Sequence, residues 1–217
     1  MQVVFMGLPG AGKGTQAMAI CEDLGIPHVA TGDMYRAAKS SGTELGDQVK
    51  PYLDAGRLVP DDLTIALVRD RLGQSDARKG FLLDGFPRTL PQAEALASML
   101  DGMGKPLTHV LYLEVREEEL LSRLTGRRVC PNCGASFHVA FNPPTREGLC
   151  DRCGGTLVQR SDDTPEAVGV RLRENLERTK TLADFYEDRG LLRRIDGEQP
   201  IATVYASIRE ALNGGER

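Results

Sequence analysis

Short, nearly unbroken apolar runs alternate along this chain with longer stretches whose apolar residues recur every three or four positions. The first run is residues 2–6 (QVVFM), which ends at Gly7. From Lys13 to Leu24 the spacing turns helical, so the opening predicts strand, glycine loop, helix. Further runs at residues 81–83 and 110–113, and a weaker one at 191–195, predict more strands. Between them, residues 61–72 carry Leu63, Leu67, Val68 and Leu72, and residues 117–124 carry Leu120, Leu121 and Leu124. The stretch 164–189 opens on Thr164-Pro165-Glu166, an N-cap residue followed by proline at the first helical position. It continues with Val168, Leu172 and Leu176, and a last helix from about Pro200 shows Val204, Ile208 and Leu212. Strands that alternate with helices imply an α/β fold with a parallel sheet covered on both faces.

Two segments break this rhythm. Residues 31–59 look helical but hold few large apolar residues. Residues 126–163 hold four of the five cysteines, Asn142-Pro143-Pro144 and several glycines. Both are read as insertions projecting from the loop edge of the sheet. The tail, residues 214–217, is expected to fray.

The four cysteines form two pairs, Cys130-x-x-Cys133 and Cys150-x-x-Cys153, with 16 residues between them. Two such knuckles turn four sulfurs toward one tetrahedral ion, and the spacing is that of a four-thiolate zinc site. Two disulfides or a redox pair are the alternatives. Disulfides need an oxidising compartment, and the start of the chain lacks the basic and apolar regions of a secretory signal. Cys21 shares helical spacing with Ala17, Ile20 and Leu24, and is expected in the core.

Gly7-Leu8-Pro9-Gly10-Ala11-Gly12-Lys13 matches G-x4-G-K between a strand and a helix, the context of a phosphate-binding loop. Its backbone N–H groups and the helix N-terminus attract phosphate, and Lys13 reaches the β and γ phosphates. The next residue is Gly14 where the motif usually has a hydroxyl for Mg²⁺, and Thr15 follows one later. The metal is therefore expected to rely on a carboxylate, through water. Asp84, at the end of the run FLLD, is the candidate, with an ordinary strand-end aspartate as the alternative.

The length of 217 residues suits one domain with insertions, and 41% hydrophobic with 27% charged residues excludes a disordered or collagen-like chain. No run of 18 apolar residues is present, so no membrane span is expected. A net charge of −4 argues against a general nucleic-acid coating. Of the 27 basic residues 21 are arginines. Compositional bias accounts for such an excess, and so does phosphate binding by planar guanidinium forks.

GLPGAGKGT at 7–15, TGDMYR at 31–36, AGRLVP at 55–60, DGFPRT at 84–89 and QRSDDTPE at 159–166 occur in that order. Together with the cysteine quartet they resemble the adenylate kinases, in the long form with a zinc-binding lid, along essentially the whole chain. The resemblance implies a P-loop kinase core with a five-stranded parallel sheet (residues 1–30, 60–125 and 164–217). It implies a monophosphate-binding segment at 31–59 and a lid at 126–163. It implies reversible, Mg²⁺-dependent phosphoryl transfer from ATP to AMP, giving two ADP, and one structural Zn²⁺ on Cys130, Cys133, Cys150 and Cys153. The ATP side would comprise Gly10, Ala11, Gly12, Lys13, Gly14 and Thr15, with Arg123 stacking on the base, Arg127 on the phosphates, Ser136 and Phe137 beside the adenosine, and the Gln199 backbone at the base. The AMP side would comprise Thr31, Arg36, Arg57, Leu58, Val59, Gly85, Phe86, Pro87, Arg88 and Gln92, with Arg160 and Arg171 acting on AMP and the transferred group. Lys13, Asp84, Arg88, Arg123, Arg127, Arg160 and Arg171 are the expected catalytic set. A monomeric cytoplasmic enzyme is expected, with no nucleic-acid or membrane partner.

The acceptor in such a reaction is a phosphate that is already ionised, so no general base is needed. Positioning and electrostatics carry the catalysis, and water must be excluded. Gln92 has two readings. Thr89-x-x-Gln92 is a helix capping box, and the amide also suits the adjacent donor and acceptor of adenine; the resemblance favours the base. Asp162 and Asp163 are read as anchors for arginines, Glu117 to Glu119 as a solvated first turn, and His138 as structural. His28 and His109 receive no role. Three other functions stand beside the leading one: a kinase for UMP or CMP, a zinc-ribbon nucleic-acid binder with an ATPase core, and a nucleotide sensor without turnover. Residues 130–153 contain only Arg146 and Arg152 as basic residues, against the ribbon.

Overall fold

The computed structural model describes residues 1–55 and 57–214. Gly56, and with it part of the 55–60 motif, lies outside the described residues, as does the tail from Gly215 to Arg217. Five parallel strands form the central sheet: β1 (Gln2–Met6), β2 (His28–Ala30), β3 (Phe81–Asp84), β4 (His109–Glu114) and the strand at Leu192–Asp196. Two further strands lie outside this sheet, β5 (Arg127–Val129) and β6 (Ser136–His138), so the fifth sheet strand is β7. The order across the sheet is β2-β3-β1-β4-β7. Val4 lies beside Leu83 on one side and Val110 on the other.

The helices are α1 (Lys13–Leu24), α2 (Thr31–Ser40), α3 (Glu44–Asp54), α4 (Asp61–Leu72), α5 (Leu90–Gly102), α6 (Glu117–Thr125), α7 (Pro165–Glu187) and α8 (Ile201–Asn213). Successive strand residues point to opposite faces, so the apolar strands feed two cores. Val4, Met6, Leu83 and Val110 pack with Val68 of α4, Leu96 of α5 and Tyr186 of α7. Val3, Phe5, Leu82 and Leu111 pack with Ala17, Ile20 and Cys21 of α1, Leu120 of α6 and Ile208 of α8. Cys21 is thus the core thiol its spacing predicts, and burial pushes it up to about 12. Strand β2 is invisible to the apolar pattern, because His-Val-Ala is short and only Val29 is fully buried. The Thr164 hydroxyl caps α7 by accepting from Ala167 N at 3.3 Å.

The direction of chain growth reverses at β1, with β3 on one side and β4 on the other. In such sheets ligands bind beyond the carboxyl ends of the strands at this reversal. Gly7, Thr31, Asp84, Val115 and Gly197 all follow or close strand ends at that edge. Within 31–59, α2 and α3 pack on their own small core of Tyr35, Val49 and Val59. Within 126–163, β5 and β6 pair antiparallel, and Cys130, Ala135, Cys150 and Leu157 form a separate minimal core.

Candidate functional site

The loop between β1 and α1 folds as its glycines require. Gly10 has φ +88°, and a Cβ there would lie 3.0 Å from Leu124 Cγ and 3.1 Å from Leu120 O. Gly12, at φ +92°, starts α1 with no side-chain cap, so its free N–H groups face the cleft. Lys13 Nζ donates to the carbonyls of Gly7 at 2.8 Å and Leu8 at 2.9 Å. Burial lowers its pKa to about 8; Asp84 opposes this, while Arg88, Arg171 and Arg127 add to it.

Asp84 lies beside this loop. A Cβ on Gly14 would stand 3.8 Å from Asp84 Oδ2, so the missing hydroxyl at position 14 leaves the carboxylate facing the loop directly. His28 Nε2 is 3.3 Å from the same oxygen. Burial raises the Asp84 carboxyl, but the His28 hydrogen bond and the charges of Lys13 and Arg88 outweigh it and hold it below the usual range. An ionised, partly buried oxygen donor fits a hard cation such as Mg²⁺. His28 is therefore a site residue with no signal in the sequence, where 56 positions separate it from Asp84.

A cleft of about 740 Å³ opens over the loop. All seven members of the expected catalytic set line it, as do Gly10 to Thr15, Ser136, Phe137, Pro87 and Arg36. A second cavity of about 70 Å³ adjoins it, lined by Thr31, Arg57, Leu58, Val59 and Gln92 among others. Arg36, Gly85, Arg88 and Arg171 belong to both walls. Two expected residues lie elsewhere. Phe86 is fully buried in the core beneath, so only its backbone is left to face a ligand. Gln199 is not in either wall; its amide donates to Asp196 Oδ2 at 2.7 Å, while its neighbours Glu198 and Pro200 line the cleft.

The arginines divide by partner. Arg127 donates to both oxygens of the wholly buried Asp163, and Arg171 to Asp163 Oδ1 at 3.0 Å and the Asp162 carbonyl at 2.8 Å. The two aspartates thus anchor arginines, as their sequence context suggests. Arg36 pairs with Asp33 at 2.5 Å, and Arg160 lies 3.7 Å from the same oxygen. Arg123 donates to Glu119 at 3.2 Å and to the Gly197 carbonyl at 2.9 Å, so Glu119 is more than part of a solvated turn. Arg88 donates its Nε to the Gly85 carbonyl at 2.8 Å and has no carboxylate partner among the described residues. Burial lowers the pKa of Arg88, and with it that of Arg171. Burial, then Arg127 and Arg36, bring Arg160 to about 10, and its Nε has no hydrogen-bond partner among the described residues. Half-buried cations short of counter-charge, as Arg88 and Arg160 are, make a strong anion site.

Gln92 caps the start of α5 and also borders the smaller cavity. Its Oε1 accepts from Arg88 N at 2.8 Å and its Nε2 donates to Asp61 at 2.7 Å, while Thr89 Oγ1 accepts from Gln92 N at 3.3 Å. The reciprocal cap reaches Arg88 N, one residue before the cap position, and the amide still lines the smaller cavity. Asp61 orients both Gln92 and Thr89, at 2.8 Å from the latter. Asp33, Asp61 and Glu119 went unrecognised in the sequence, where acidic residues on helices look like solvated surface.

The four cysteine sulfurs lie within 4.8 Å of one another. Cys130 and Cys153 are 3.4 Å apart, and Cys133 and Cys150 3.6 Å. A tetrahedron with Zn–S bonds of about 2.3 Å has edges of about 3.8 Å, so the set fits one zinc. No disulfide forms. The knuckles repeat: Gly134 N donates to Cys130 O at 3.0 Å and Gly154 N to Cys150 O at 2.8 Å. His138 stays out of this set. Its Nδ1 accepts from Ala140 N and Phe141 N, both at 3.0 Å, and its Nε2 faces Ser122 O at 3.2 Å.

Comparison with known proteins adds an independent line. The family model described as adenylate kinase matches residues 5–191. An adenylate kinase of Bacillus licheniformis is 56% identical over 217 residues, 100% of each chain. One from a Geobacillus species is 55% identical, and one from Bacillus subtilis 52% identical, each over 214 residues and 99% of both chains.

Proposed function

This chain belongs to the adenylate kinase family, and on that footing we propose how its cleft carries out the family reaction. The enzyme transfers a phosphoryl group reversibly from ATP to AMP, giving two ADP. The observation that carries the reading of the site is the shared wall: Arg36, Arg88 and Arg171 border both the cleft over the phosphate loop and the smaller cavity beside it. Two anionic ligands, one in each, would meet between these guanidiniums.

ATP would lie over Gly10 to Thr15, with Lys13 moving from the Gly7 and Leu8 carbonyls onto its phosphates. Arg123 would stack on its base, Ser136 and Phe137 would cover its adenosine, and the backbone near Gln199 would meet the base edge. AMP would occupy the smaller cavity, its phosphate on Arg36 and Arg88 and its base near Thr31, Leu58, Val59 and Gln92, with Arg57 at the rim. Arg127, Arg160 and Arg171 would steady the phosphoryl group in flight. The buried Asp163 holds the guanidinium planes of Arg127 and Arg171 in place, with Asp162 beside Arg171, so little reorganisation is needed as charge moves. AMP arrives ionised, so the residues here position and neutralise and abstract no proton. Bound with ATP, Mg²⁺ neutralises charge on the phosphate oxygens, and Asp84 is the residue that would hold it, through water. Zinc on the four cysteines has no open position, so it shapes the segment 126–163 and takes no part in the chemistry. We read this segment as the lid, 31–59 as the monophosphate-binding segment, and the rest as the core. We also read the enzyme as a cytoplasmic monomer, the thiol set suiting a reducing compartment.

Turnover on AMP, CMP, UMP and GMP with ATP tests the acceptor. AMP is expected to win by at least about a hundredfold in kcat/KM, the scale a site with fitted hydrogen bonds reaches. A preference for UMP or CMP would overturn the assignment.

The Lys13 ammonium gives a pH signature. Without nucleotide its proton leaves as pH rises through about 8, and phosphate oxygens bind only the charged form. KM for ATP is therefore expected to be flat below about pH 7.5 and to climb above pH 8, approaching tenfold per pH unit. A flat profile to pH 9.5 would overturn the lowered Lys13 pKa.

A further inference from the structure

One buried side chain in the cleft wall takes no part in the mechanism above. Gln16 follows Thr15 on α1 and is 4% exposed. Its Nε2 donates to the Ile201 carbonyl at 2.9 Å, across 185 positions of sequence. Its Oε1 is buried without a hydrogen-bond partner among the described residues. A dry amide oxygen is unfavourable, so an apolar side chain would serve packing alone at least as well. What the amide adds is the bond to Ile201.

Ile201 begins α8, and the turn ahead of it is tied down from several elements. Gly197 N donates to Glu114 O at 2.8 Å. Arg123 donates to the Gly197 carbonyl at 2.9 Å. Arg116 donates to Glu198 through its backbone N at 2.8 Å and its Nε at 2.9 Å. Gln16 closes the far end. Gly197, Glu198, Pro200 and Ile201 line the same cleft as the phosphate loop.

We infer that Gln16 is a positioning residue for the base end of the ATP site: its amide fixes the 197–200 turn against the phosphate-loop helix. The inference rests on the reading of this cleft as the ATP site. A base read by backbone groups can only be discriminated if that backbone is held still relative to the phosphate grip, because small misplacements weaken hydrogen bonds steeply. Gln16 sets that spacing from the phosphate side, and Arg116 supports the turn from the solvent side.

The test begins with ADP formation from ATP and AMP by the unmodified enzyme; failure there removes the reading of the cleft itself. With that activity present, Gln16→Met keeps the bulk and loses the donor. It is expected to raise KM for ATP about fivefold to tenfold, the scale of one lost hydrogen bond, with KM for AMP unchanged. The preference for ATP over GTP is expected to fall by a similar factor. A merely structural role would move both KM values together. A KM for ATP within twofold of the parent, or a parallel rise in both KM values, overturns the inference. Arg116→Ala alters a side chain that is 73% exposed, so it spares the core. It is expected to raise KM for ATP selectively by about threefold, and if Gln16→Met does not fold, an unchanged KM for ATP in Arg116→Ala overturns the inference instead.

Discussion

Arg88→Ala is expected to lower kcat about a thousandfold while leaving the melting temperature within about 3 °C of the parent. The size follows from the placement. Arg88 borders both cavities, and removing one well-aimed donor to developing charge costs about 3–4 kcal/mol of transition-state stabilisation. The neutral effect on stability follows from its partners. Its Nε bond to the Gly85 carbonyl is one contact, and burial together with the Arg171 charge already works against its own charge. Loss of the guanidinium relieves that repulsion as it removes the bond. Arg88→Lys keeps the charge and loses the planar fork, so it is expected to recover only part of the rate. Steady-state kinetics beside thermal denaturation check both halves. A kcat within tenfold of the parent would remove Arg88 from the transfer step.

Stripping metal from the four-cysteine set is expected to lower the melting temperature by about 10 °C. The segment's own core is Cys130, Ala135, Cys150 and Leu157, with Cys133 and Phe137 packed against it, so half of what holds it together is the ligand set. A core this small needs a staple, and structural zinc supplies folding free energy directly. A loss of about 3–5 kcal/mol, at about 2–4 °C per kcal/mol for a chain of this size, gives the shift. Well below the transition, kcat is expected to stay within about threefold, because a closed four-sulfur site does no chemistry. The same change is expected for Cys153→Ser, with metal content measured on each sample. A metal-free protein with an unchanged melting temperature would overturn the structural role.

The site was legible in sequence to different depths. Gly7 to Thr15 stood out because a phosphate loop is local: one strand end, one turn and one helix start lie within a few residues. The cysteine knuckles stood out for the same reason. The arginines did not separate themselves. Arg71, Arg116, Arg178 and Arg194 pair with carboxylates and lie outside the cleft wall, while Arg88, Arg160 and Arg171 are half-buried in it. Nothing in residue type distinguishes the two groups, and only resemblance to a family drew the line between them. Strand β2 escaped because a three-residue edge strand needs only one buried apolar position.

The order of apolar runs and helical periods determined the α/β architecture, because each strand and helix must bury its own apolar face whatever its neighbours are. Local turn chemistry determined the phosphate loop, the cap at Thr164 and the pairing of the cysteines around one centre. The tertiary structure decided which charges meet. His28 reaches Asp84 because β2 and β3 lie side by side, and Asp33 reaches Arg160, Asp163 reaches Arg127 and Gln16 reaches Ile201 because segments far apart in sequence pack together. Hydrogen bonds and ion pairs act over a few ångströms. Their partners are set by which segments lie side by side, and that information is spread over the whole chain.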